Sequence, residues 1–150
     1  MRISRTVYLL VAILMHAPVH SAELGAVRLP TSCNDEANGH VQQGLALLHH
    51  MMYESAHKSF AAAASVQPAC GIAYWGQAMT FVHPLWSDPP PAATFDKGAV
   101  LADTAMAEGK KTDRERAYVE AVQAYYKQGK SNKEDRKSTR LNSSHPYRSR

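Results

Sequence analysis

The chain is 150 residues long and carries 17 lysines and arginines against 13 aspartates and glutamates, a formal net charge of +4. Seven of the basic residues stand at its two ends (Arg2 and Arg5; Arg136, Lys137, Arg140, Arg148 and Arg150), together with the acid Asp135. The stretch 22–134 keeps ten basic and twelve acidic residues, which gives it no electrostatic reason to bind nucleic acid, and it is long enough for one small domain.

At the start, Arg2 and Arg5 precede an apolar run over residues 7–15, and Val19-His20-Ser21 ends on a small residue. This is the layout of a secretory signal peptide, residues 1–21, cleaved after Ser21. The run is well short of the roughly 20 residues that cross a bilayer, which weighs against an uncleaved anchor. No later stretch is long and apolar enough to span a membrane once the leader is removed. Export places the protein in the periplasm or outside the cell, where disulfides persist. Cys33 and Cys70 can then bridge or remain two thiols. Sequence does not supply the Cβ geometry that a bridge requires, so both readings stay open.

Residues 22–37 have little pattern and read as a lead-in. From residue 38, Val41, Leu45, Leu48 and Met52 recur at helical spacing. A second helix is predicted over 54–66, where Ala56, Phe60 and Ala63 share a face and alanine supplies high helix propensity; Pro68 stops it. A third is predicted over 70–82. The segment 83–91 holds four prolines in nine residues and is a loop. A fourth helix is predicted from Thr94, as N-cap, to Glu108, with Gly109 at C′. Thr112-Asp113-Arg114-Glu115 has the form of a capping box and opens a fifth helix through Tyr118, Val122 and Tyr125 to about Lys127. No period-two strand pattern is present. The fold class expected is all-α, built of antiparallel hairpins, with a disordered tail over 129–150.

Within that tail, the eleven residues from Asp135 to His145 resemble a sequencing adapter translated in frame. On this reading residues 135–150 are an artefact, the gene is cut near Glu134, and the segment is left out of fold reasoning. The alternative is a basic tail for nucleic acid or membrane.

Gly44, Ala56, Phe60, Ala63 and Pro68 stand at spacings of 12, 4, 3 and 5. This resembles the tetratricopeptide repeat, in which a small residue in helix A faces Ala, Phe and Ala in helix B before a terminal Pro. One repeat length on, Ala78 takes the place of Gly44, between the large Tyr74 and Phe81. The second unit departs from the pattern. Its helix B is displaced by the 83–91 insertion, its small residue is Gly98, and Ala102 stands where the aromatic belongs. The resemblance covers residues 38–128 and implies a truncated solenoid. Hairpin 1 spans 38–69, hairpin 2 spans 70–109, and 112–128 is the first helix of a third. The runs from Gly44 to Glu54, from Ala73 to Met79 and from Arg114 to Tyr118 are similar to a family of exported bacterial tetratricopeptide proteins of undefined role.

The resemblance also implies a binding surface, a concave face lined by helix A. Its positions fall on Asn38, Val41, Leu45, Leu48 and His49 in the first unit and on Ile72, Trp75, Met79, Val82 and His83 in the second. That lining is apolar with two histidines and lacks the Lys/Arg clamp such repeats use for acidic tails, so an apolar or helical segment of a protein is the expected guest. Trp75 and Trp86 can anchor a partner or simply fill the core.

Other chemistry has less support. His49, His50, Met51 and Met52 are soft-metal ligand types, with His40 and His57 nearby. Consecutive helical residues diverge by about 100°, so the four cannot face one ion, and the two methionines are expected to pack where the helices meet. No nucleophile elbow, Cys–His pairing or Gly-rich phosphate loop is present. Glu108, Asp113 and Glu115 are explained by capping and helix dipoles. No catalytic residue, metal or cofactor is predicted. The reading is an exported scaffold that binds protein or peptide. The alternatives are the non-catalytic N-terminal region of a larger exported enzyme and a metal- or small-ligand accessory module.

Overall fold

The computed structural model describes residues 25–83 and 91–143. Among them are five α-helices and no strand. The helices are α1 (Asp35–His49), α2 (Tyr53–Val66), α3 (Gly71–Met79), α4 (Ala92–Ala107) and α5 (Asp113–Ser143). The all-α class expected from the sequence is the class observed. The leader 1–21, the insertion residues 84–90 with Trp86, and the end of the tail lie outside the described residues.

Each helix boundary has a local cause. The Asn34 side chain caps α1 by accepting from the Ala37 amide at 2.8 Å, so α1 starts three residues before the predicted Asn38. Its C-terminus closes as a Schellman turn, in which the Met52 amide donates to Leu47 O and the Met51 amide to Leu48 O. Met51 takes the left-handed conformation there, φ 58°. Met51 and Met52 are therefore on an exposed turn, 49% and 46% accessible, and do not pack between the helices as expected.

Helix α2 ends at Val66, because the residue before Pro68 is driven to extended backbone (Gln67 φ −139°, ψ 93°). Helix α3 ends at Met79, earlier than the predicted 82. Phe81 and Val82 donate to carbonyls three residues back, and the Thr80 hydroxyl takes Gln77 O, so the last turn tightens. Helix α4 starts at Ala92 with Pro91 at the N-cap. Thr94 is thus inside the helix rather than its cap. Proline's fixed φ already suits a helix entry, and two alanines follow.

Gly109, φ +62°, ends α4 as predicted, and Lys111 Nζ donates to the freed carbonyls of Met106, Glu108 and Gly109. The capping box of α5 forms. The Thr112 amide donates to Glu115 Oε2 at 2.7 Å, and the Glu115 amide donates to Thr112 Oγ1 at 3.2 Å. Helix α5 then continues past the predicted Lys127 to Ser143. Between Thr112 and Pro146 only Gly129 disfavours a helix, and Lys, Arg, Gln and Glu are good helix formers.

The helices pack in two rows. Successive helices lie against each other, α1 also meets α3, and α3 also meets α5. Among the described residues α2 and α4 do not meet. The row α1–α3–α5 is closed and the row α2–α4 is open.

At the centre, Phe60 is fully buried. It lies against Gly44 on α1, where a Cβ would come within 2.8 Å of the ring, and against Gly76 on α3, where a Cβ would overlap it. Burying such a ring contributes roughly 2–3 kcal/mol. Ala56, Ala63 and Ala78 are also fully buried. In the second hairpin Ala102 leaves room for an aromatic ring, and α5 provides one. Tyr126 fills the place opposite Gly98 and donates from its hydroxyl to Ala78 O at 2.8 Å.

The lead-in, without pattern in the sequence, is fastened to the helices. Leu29 is buried in the core, and Cys33 is bonded to Cys70, Cα–Cα 5.3 Å. Of the two readings left open by the sequence, the bridge is the one observed. Closing a loop of this length, 37 residues apart, stabilises by about 4 kcal/mol on the chain-entropy model.

A groove on the closed row

The residues expected to line a concave face divide into two groups. Val41, Leu45 and Ile72 are buried in the core. Val41 and Leu45 share their cluster with Leu29 of the lead-in. Ile72 belongs to the first turn of α3, which lies so close to the end of α4 that a Cβ on Gly71 would meet Glu108 O at 2.8 Å. Asn38 is half-buried, and its Oδ1 accepts from Thr31 of the lead-in at 2.9 Å. Leu48 packs against the core and His49 is exposed at the end of α1. His83 turns to α2. Its ring lies 4.2 Å from that of Tyr53, and its Nε2 is 3.1 Å from Thr80 O.

Trp75, Met79 and Val82 do come together. With Tyr118, Ala121, Val122 and Tyr125 of α5 they line a groove of about 420 Å³ between α3 and α5. Trp75, only 9% accessible, forms its floor. The indole stacks on Tyr118 with ring centroids 5.5 Å apart and planes at 26°, and meets Phe60 edge-on at 6.5 Å. Tyr118 and Tyr125 remain 41% and 40% accessible. Tyr125 is braced from behind by Phe95 and Tyr126, at 6.1 and 5.0 Å. The groove thus has a packed aromatic floor and two partly wet phenols, a surface that is apolar in the middle and able to hydrogen-bond through the tyrosine tips.

Sequence reasoning used Tyr118 and Tyr125 only as marks of a fifth helix and missed them as groove residues. The signal was present. Val41, Leu45 and Leu48 are spaced by four and three, as are Trp75, Met79 and Val82, and the same spacing returns in Tyr118, Val122 and Tyr125.

A second cavity, about 480 Å³, lies on the splayed side, where His57, Gln77, Phe81 and the first half of α4 face each other. Thr80 Oγ1 gives its proton to Gln77 O at 2.6 Å, so His57 Nδ1, 3.0 Å away, is the donor to Thr80. The His57 ring also packs on Phe81 at 5.2 Å. Among the described residues no three of His, Cys, Asp and Glu converge as a metal site would need, and no helix is long and apolar enough to cross a membrane.

No family model, curated protein or solved structure matches this chain.

Proposed function

We propose that this chain is an exported scaffold of tetratricopeptide type that binds a protein or peptide segment, without catalysis of its own, through the groove between α3 and α5. The observation that carries the reading is the pair Tyr118 and Tyr125, each about 40% accessible on a groove floored by Trp75. Aromatic side chains with one apolar face and one polar tip are the residues that dominate binding energy at protein interfaces. The spacing of Gly44, Ala56, Phe60, Ala63 and Pro68 and the two-row packing support the repeat assignment. The Cys33–Cys70 bridge is compatible with export.

A guest segment presenting apolar residues at helical spacing fits this lining. A peptide library displayed on phage and selected on the full chain tests the idea. Selected peptides are expected to be apolar on one face, and Tyr118→Ser combined with Tyr125→Ser is expected to weaken them by about 2 kcal/mol or more. Peptides that bind the double variant unchanged would show the guest site to be elsewhere.

A small apolar ligand is the second reading. The groove volume, about 420 Å³, falls within the range of small-molecule sites, roughly 300–1,000 Å³.

A further inference from the structure

Three consecutive residues before α1 fasten two turns of the molecule. The Ser32 amide donates to Glu115 Oε1 at 3.0 Å, and the Ser32 hydroxyl donates to Lys110 O at 2.6 Å. Cys33 is bonded to Cys70 at the start of α3. The Asn34 amide donates to Gln67 Oε1 at 2.7 Å. This strap therefore ties the turn before α3 to the turn before α5, across 83 residues of sequence in the case of Ser32 and Glu115.

Glu115 is the unusual member. Its side chain is 1% accessible, and a buried carboxylate must be compensated by donors. One of its oxygens is satisfied within its own capping box by the Thr112 amide. The other depends on Ser32. Glu115 lies one helical turn before Tyr118, which forms the wall of the groove and stacks on Trp75. The disulfide is thus linked to the groove through a short chain of contacts: Cys33, its neighbour Ser32, Glu115, and the first turns of α5.

We propose that the Cys33–Cys70 disulfide is a redox-sensitive latch on the start of α5, and that its reduction loosens the Tyr118 wall while leaving the α1–α2 hairpin in place. Cys70 is fully buried whereas Cys33 is partly accessible, so an external dithiol attacks at Cys33 Sγ. Its thiolate forms a mixed disulfide with Cys33 and expels the Cys70 thiolate. The second thiolate of the reagent then attacks the mixed disulfide and expels the Cys33 thiolate; the reagent leaves as a cyclic disulfide, having given two electrons to the protein bridge, and its two protons end on Cys33 and Cys70. After reduction the strap keeps Leu29 as its buried apolar side chain, the water-exposed bonds of Ser32 Oγ to Lys110 O and of the Asn34 amide to Gln67, and the part-buried bond of Ser32 to Glu115. Without the covalent tie these must hold the strap's position against its regained freedom. Ser32 then leaves Glu115, and the carboxylate draws water into the base of α5. The strap meets the ends of the α1–α2 hairpin, through Thr31 to Asn38, the Asn34 cap on the Ala37 amide and Asn34 to Gln67, but the middle of the hairpin is held by Phe60 against Gly44.

The test is hydrogen–deuterium exchange on the full chain, with and without dithiothreitol. Reduction is expected to lower protection of the amides from about residue 116 to 122 by about tenfold or more, the worth of a hydrogen bond to a buried charge. Amides in the middle of α1 and α2, around Gly44 and Phe60, are expected to change by less than about twofold. In Glu115→Gln the start of α5 is expected to be loose already, so that reduction adds less than about twofold there. Equal loss of protection in all helices overturns the latch, and so does unchanged exchange at α5 or an equal effect of reduction in Glu115→Gln. The consequence for binding rests on the groove reading above, but the exchange readout does not. Coupling without any selected peptide would sink the groove and leave the latch, and peptide binding without coupling would do the reverse.

Discussion

Phe60 occupies a space that exists because two helices lack a Cβ. At Gly76 a methyl group would overlap the ring, whereas at Gly44 it would come to 2.8 Å. Alanine gains roughly 1 kcal/mol over glycine inside a helix, while overpacking a tight core costs about 1–3 kcal/mol. The two effects nearly cancel at Gly44 and do not at Gly76. Urea denaturation is therefore expected to show Gly76→Ala destabilised by about 2 kcal/mol and Gly44→Ala close to neutral. Equal effects at the two sites would mean that the ring is not held as described.

Tyr126 offers a second residue-scale test. Burial, with a smaller contribution from Tyr125, holds its phenol well above the ordinary value of 10.0. The folded protein thus keeps a proton that the unfolded chain loses first as pH rises. The resulting stabilisation is complete below pH 10 and is lost as pH climbs above it. Tyr126→Phe is expected to cost about 1 kcal/mol at neutral pH, for the bond to Ala78 O. The gap between the two proteins should then shrink between about pH 10 and 12. A gap that stays constant over that range would contradict the assignment.

Among the elements, turns decide more than helix interiors. The α1–α2 turn places Met51 in a left-handed conformation, φ 58°, which costs a side-chain-bearing residue roughly 1–2 kcal/mol. Met51 is exposed, so little packing is lost with it. Met51→Gly is expected to raise the thermal midpoint, with a gain of about 1 kcal/mol, and a lowered midpoint would show that the methionine side chain matters more than its backbone strain.

Local rules were legible in this sequence where a side chain acts on its own turn. The Thr112–Glu115 box and Gly109 after α4 follow from such rules. The start of α4 did not, because a proline at the N-cap competes with the more usual Thr94. The splayed second hairpin was readable only in part. Ala102 signalled a missing aromatic ring, but nothing local to α4 says that Tyr126 of the next helix fills the space.

For the whole molecule, the arrangement follows from which helices can approach. Small residues at 44, 76, 78, 98 and 102 let rings enter between neighbours, and the row α1–α3–α5 closes while α2 and α4 stand apart. The lead-in was the segment least legible in sequence. Its fastening is tertiary, through Ser32 to Glu115 and Cys33 to Cys70, and such long-range partners leave no periodic trace. The candidate groove was half legible. Trp75, Met79 and Val82, which the repeat resemblance implies for a concave face, line one side of the groove, whereas Val41, Leu45 and Ile72 lie in the core.

The central claim is that a guest lies in the groove between α3 and α5. A hydrogen–deuterium exchange footprint of a library-selected peptide on the full chain tests it most directly. The account predicts added protection over residues 75–82 and 118–125 and none over 93–101. Protection confined to the opposite cavity around His57 and Val100, or absent from α3 and α5, would contradict it.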